Sequence, residues 1–183
     1  MGFRIKSGWA TTVLLTGPSS APRVVDCRVT LLADPDDPET RQPYHAGLDT
    51  HESRGVKAVK RLVKAVERCA RRSVGTLIAE YRAAGHRVRG AGIVVGSVID
   101  PARIANDHIR AHAEEGRLFR TVVEQAIRAC RLRARVMVEK ELYVTAARFR
   151  ARVTALGKDV DGPWRAAEKA AALAAWMVLR SPT

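Results

Sequence analysis

Arg89-Gly90-Ala91-Gly92-Ile93-Val94-Val95-Gly96-Ser97-Val98-Ile99-Asp100-Pro101 is the stretch on which the fold turns. A short apolar run bracketed by glycines suits a strand buried on both faces, as found at the centre of a parallel sheet. Asp100 followed by Pro101 reads as a helix N-cap with proline in the first helical position. A helix is therefore expected from there to about Cys130, with a break near Gly116. Upstream, Val56, Val59, Leu62, Val63, Val66, Cys69, Ala70, Val74, Leu77, Ile78 and Tyr81 recur at spacings of three and four. That periodicity predicts an amphipathic helix from about Gly55 to Ala84, stopped by Gly85.

Further outward, residues 3–15 read as one strand, Gly17-Pro18-Ser19-Ser20 as a turn, and residues 23–32 as a second strand, together a hairpin. Asp34 to Asp49 reads as a loop with room for a short third strand near Tyr44. Downstream, Arg135 to Glu139 reads as a strand, 144–155 as a weaker helix, Gly157 to Pro163 as a loop, and Trp164 to Leu179 as an Ala-rich helix. A leading antiparallel hairpin followed by alternating helices and strands predicts an α/β fold with a mixed sheet. One domain over residues 1–183 is the expectation for this length.

The chain carries 32 Lys and Arg against 19 Asp and Glu, for a net charge of +13. Such a surplus points to an anionic partner, nucleic acid or an acidic protein. The preference for Arg and the abundance of Ala fit a GC-rich, bacterial-type coding bias. Cys27, Cys69 and Cys130 are odd in number and far apart, so they read as small apolar residues in a reducing cytoplasm. The opening residues do not make a secretory signal, since Pro22 and two threonines interrupt the pattern. Lys6 breaks a myristoylation motif. No apolar run is long enough to span a membrane, so no membrane partner is expected.

Several segments together resemble the ribonuclease H-like superfamily, especially its Holliday-junction-resolvase branch. Gly8-Trp9-Ala10-Thr11-Thr12-Val13 is similar to the end of that branch's first strand, and Ile93 to Val98 to its central strand. Ala113 to Arg131 is similar to the helix that follows. Gly162-Pro163-Trp164-Arg165-Ala166-Ala167-Glu168 leads into a helix similar to its last. The resemblance implies a ribonuclease H-like mixed sheet, and in the family's nucleases two Mg²⁺ ions held by carboxylates from the first strand, the central strand and the last helix. This chain departs from that pattern. No acid precedes Asp26, and Arg4 and Lys6 stand on the first strand. Gly96 and Ser97 stand near the central position, and only Glu168 matches. Asp26, Asp100 and Asp161 are the remaining candidates for a diverged Mg²⁺- or Mn²⁺-dependent nuclease, and without that activity no cofactor is expected.

Three other constellations offer chemistry. His108 and His112 are four apart on a helix, with Glu115 three further on, a spacing that offers two imidazoles and a carboxylate to a metal. No Glu follows His108, so this is not the metalloprotease pattern. Asp100, Arg103, Asn106, His108 and Arg110 should line the carboxyl edge of the sheet, where ligands gather in open α/β folds. Lys57, Lys60, Arg61, Lys64, Arg68, Arg71 and Arg72 follow helical spacing and form a basic stripe suited to a phosphate backbone. No aromatic residue interleaves with it, which argues against base stacking. No phosphate-binding glycine loop or nucleophile motif is present. Three readings follow: a non-catalytic nucleic-acid-associated or scaffolding domain, a diverged metal-dependent nuclease, and a protein-interaction subunit or homodimer through Trp164, Trp176 and Met177.

Overall fold

The computed structural model describes residues 1–48 and 52–181. Its five strands are β1 (Gly2–Lys6), β2 (Trp9–Thr16), β3 (Arg23–Leu31), β4 (Gly90–Val95) and β5 (Arg133–Val138), in the spatial order β3-β2-β1-β4-β5. The first three pair antiparallel, whereas β1–β4 and β4–β5 are parallel. Helices α1 (His45–Leu48), α2 (Glu52–Ala83), α3 (Asp107–Ala129), α4 (Glu139–Thr145), α5 (Arg150–Leu156) and α6 (Ala166–Arg180) complete the described chain, with short 3-10 turns between some of them.

β4 lies between two parallel neighbours, and all six of its residues are buried. Its alternate side chains serve two cores, as the two-residue period of a strand requires. Ile93 and Val95 pack with Phe3, Val66, Val74, Ile78, Phe119 and Val123 beneath α2 and α3. Val94 and Met137 pack with Ala171, Leu173, Ala174 and Trp176 beneath α6. The Ala-rich helix rests unusually close to the sheet. A Cβ placed on Gly92 would stand 2.8 Å from the Ala174 carbonyl oxygen, and one on Gly2 would stand 1.9 Å from that of Ala171. Glycine in the strands and alanine on the helix are thus two halves of one close approach.

Several expectations are corrected. Residues 3–15 hold two strands, because Ser7-Gly8 makes a tight turn with Gly8 at φ +84°. The leading hairpin is consequently a three-stranded antiparallel unit, and the stretch Trp9 to Val13 that resembled the end of a first strand lies on β2. Among the described residues no strand forms near Tyr44; a 3-10 turn (Pro38–Arg41) and α1 occupy that segment. The end of that loop, at Asp49, lies outside the described residues. Asp100 caps only the 3-10 turn Pro101–Arg103, and Asn106 caps α3, its side chain accepting from the Ile109 amide at 3.0 Å. α3 runs unbroken through Gly116. The weak helix over 144–155 resolves into α4 and α5, separated by a 3-10 turn. Trp176 is 1% exposed, with its indole N–H donating to the Ser19 carbonyl, so it is a core residue and no part of a dimer face. Met177 and Trp164 are half-buried. Gly85 does end α2, at φ +81°. No described helix is long and apolar enough to cross a membrane.

Candidate nucleic-acid interface

β1, β4 and β5 run in the same direction, so their carboxyl ends form one edge. In the registers Arg4↔Val94 and Val94↔Met137, Arg4 shares the face of the sheet on which α6 lies. Its guanidinium is 8% exposed as a residue and donates to Glu139 Oε2 at 2.7 Å and to the Ile5 carbonyl at 2.6 Å. Glu139 immediately follows β5. This edge therefore holds a mostly buried cation–carboxylate pair, which the sequence reading missed. The signal available was an Arg between two large apolar residues, Phe3 and Ile5, a residue that is rarely buried without a partner.

Among the described residues the four candidate acids form no cluster that could hold a metal ion. Asp26 sits on β3 and accepts from the Tyr81 hydroxyl and Arg28 Nε, each at 2.5 Å, on the α2 side of the sheet. Burial and this hydrogen bond, which needs the phenol's proton, push the Tyr81 phenol well above its usual range. Glu168 is on the other side. Its carboxylate accepts from the Arg165 amide at 2.8 Å, closing the first turn of α6. Cys27, adjacent to Asp26 but facing α6, has its thiol pushed up to about 11 by burial and then by the charges of Glu168 and Asp26. Asp100 is exposed and accepts from the Ala102 amide, and Asp161 is exposed in the connection before α6. Two hard cations need oxygen ligands converging within bonding distance, and these residues do not fit such a pair.

The basic stripe is a real feature of the surface. Lys57, Lys60, Lys64, Arg68, Arg71 and Arg72 are all exposed on α2, and none forms an ion pair among the described residues. Leu62, Val66, Ala70, Val74 and Leu77 bury the opposite face. Arg61 differs, because it is bound to Asp37 at 2.9 Å and to Glu39 at 3.3 Å and is partly neutralised. From Lys57 to Arg72 the stripe is about 22 Å long at the helical rise per residue. Duplex DNA carries one charge per ~1.7 Å of axis, so phosphate is abundant along that length.

Most of the edge expected after β4 is occupied by local bonds. Asp100 and Asn106 are caps, Arg103 pairs with Asp100 at 3.7 Å, and Arg110 binds the Ile104 carbonyl and Asp107. His108 and His112 do share a face of α3, but Glu115 is fully buried beneath them and contacts a third imidazole, His45 of α1, at 2.8 Å. The sequence reading missed His45 because it lies 63 residues from His108.

The chain matches no protein-family model and no curated protein. Solved structures do resemble it. Thermus thermophilus RuvC superposes with a TM-score of 0.56 at 10% identity, covering 96% of this chain and 89% of that one. T. thermophilus RuvC in complex with a Holliday junction substrate superposes with a TM-score of 0.57 at 9% identity, covering 96% and 88%. At this level of identity the likeness is one of fold. The mixed five-stranded sheet, with its antiparallel leading strands and flanking helices, is accordingly the fold seen in T. thermophilus RuvC, consistent with a ribonuclease H-like arrangement.

Proposed function

We propose that this protein is a nucleic-acid-binding domain that holds its ligand through the basic face of α2 without two-metal phosphodiester cleavage. One observation carries the reading. Where the resolvase resemblance calls for converging acids, the strand edge holds the Arg4–Glu139 pair, while Asp26 and Glu168 lie on opposite sides of the sheet. At that edge Glu139 is already engaged by the Arg4 guanidinium, so its carboxylate is not free to attract a metal cation. The unpaired cations of α2 supply the complementary property, attraction to polyphosphate with release of its counterions. The solved structure of T. thermophilus RuvC on a Holliday junction makes branched DNA the first ligand to try.

The test is binding to fluorescent duplex, four-way-junction and single-stranded DNA and RNA, with Mg²⁺ and Mn²⁺ present and product lengths measured. Binding with intact substrate is expected, as is its loss on charge reversal at Lys60, Lys64 and Arg68. Metal-dependent cleavage abolished by Glu168→Ala would overturn the non-catalytic part. Failure to bind at low salt would overturn the rest.

A further inference from the structure

His45, His108 and His112 bring three imidazoles together from two helices. Their candidate ligand atoms all lie within 4.8 Å of one another. The ring centroids are 4.6 Å apart for His45–His108, 4.2 Å for His45–His112 and 4.8 Å for His108–His112, and the interplanar angles are 81°, 57° and 85°. The rings are tilted against one another rather than stacked in parallel, so their nitrogens approach a shared point. A tetrahedral ion with metal–nitrogen bonds of about 2.0–2.1 Å needs ligand nitrogens roughly 3.4 Å apart. Small side-chain rotations close the difference, and His108 and His112 are exposed and free to make them.

A second observation points to a ligand. His45 Nδ1 lies 2.8 Å from Glu115 Oε1, and the His45 amide also donates to that oxygen, at 3.4 Å. With Nδ1 as the donor to that oxygen, a neutral imidazole keeps its lone pair on Nε2. Nε2 is buried and has no hydrogen-bond partner. A desolvated lone pair without a donor is costly; a bound cation removes that cost. A buried carboxylate that fixes the tautomer and raises the basicity of a ligating histidine is the usual companion of such a metal. Glu115 Oε2 likewise has no hydrogen-bond partner, and His112 Nδ1 stands 3.9 Å from it.

We propose that His45, His108 and His112 form a binding site for one divalent transition-metal ion of the Zn²⁺ type, with Glu115 orienting His45 and a fourth position open to water or an anionic ligand. Three imidazoles suit Zn²⁺, Co²⁺, Ni²⁺ or Cu²⁺ and suit Mg²⁺ poorly, which prefers oxygen. The site is distinct from the edge carrying Arg4 and Glu139, since α3 packs on the other face of the sheet from α6. It also ties α1, a helix of four residues, to the long helix α3.

The experiment uses the full chain without an affinity tag, stripped by chelator and titrated with Co²⁺ under absorbance, then with Zn²⁺ in competition. The expected result is one ion per chain with the visible bands of tetrahedral cobalt, displaced by Zn²⁺. His108→Ala and His112→Ala, both at exposed positions, should each abolish those bands while leaving the circular dichroism spectrum unchanged. His86→Ala, outside the cluster, should bind as the parent does. Glu115→Gln should weaken affinity about 10- to 100-fold without changing stoichiometry. Should that buried change prevent folding, the two exposed histidine variants decide alone. No bound Co²⁺, or the same affinity in His108→Ala and His112→Ala as in the parent, would overturn the site.

Discussion

Replacing Lys60, Lys64 and Arg68 together by Gln removes three of the six exposed cations of the Lys57–Arg72 stripe that are in no ion pair among the described residues, and leaves the apolar face of α2 untouched. If all six contact phosphate, the dependence of log affinity on log salt has a slope of about −5.4, so affinity for duplex falls roughly a thousandfold between 50 and 200 mM salt. The triple variant should show a slope of about −2.7 and lose only about 40-fold over the same range. Fluorescence anisotropy on one labelled junction across a salt series reads both slopes. Lys60 and Arg68 are separated by about 12 Å along the helix, so a single strand can meet all three positions. A variant whose slope stays within one unit of the parent would refute the assignment of this face to phosphate, even if its affinity fell.

Other expected outcomes concern packing and titration. Gly92→Ala pushes a methyl group to 2.9 Å from both the Ala174 Cβ and Met137 Cε, so it should destabilise the fold by about 1–3 kcal/mol in chemical denaturation. Glu139→Ala leaves the Arg4 guanidinium with only the Ile5 carbonyl, at a cost of about 2–4 kcal/mol after allowing for the partial exposure of the carboxylate. A double-mutant cycle with Arg4→Met should recover part of that loss, and strict additivity would show that the pair is uncoupled. Cys27 should alkylate far more slowly at pH 8 than a free thiol, accelerating only as pH approaches about 11. Between the ordinary thiol value of 9.0 and about 11, the unfolded chain releases a proton that the native chain keeps. This group's contribution to stability is therefore full below that window and is lost as pH rises through it. Mass spectrometry of the labelled peptide checks the rate, and denaturation at pH 9 and 10.5 checks the sign.

The sequence by itself determined the α/β class, the buried central strand, the long basic helix and the Ala-rich last helix, because each rests on a local period or on glycine punctuation. Val66, Ala70 and Val74 share a face wherever α2 packs, and Ile93 to Val95 suits few positions other than a buried strand. It also determined that acids are missing ahead of Asp26. Boundaries set by one residue's backbone were harder to read: Gly8 splits residues 3–15 into two strands through a positive φ, and Asn106 rather than Asp100 caps α3. Pairings across long separations were decided only by the tertiary structure. Arg4 and Glu139 are 135 residues apart, and His45 and Glu115 are 70 apart. No periodicity couples such positions; the placement of β1 and β5 on either side of β4 and the packing of α1 on α3 do. The same reason separates Asp26 from Glu168: each is an acid in sequence, but the pleat of β3 and the path of α6 put them on opposite faces of one sheet.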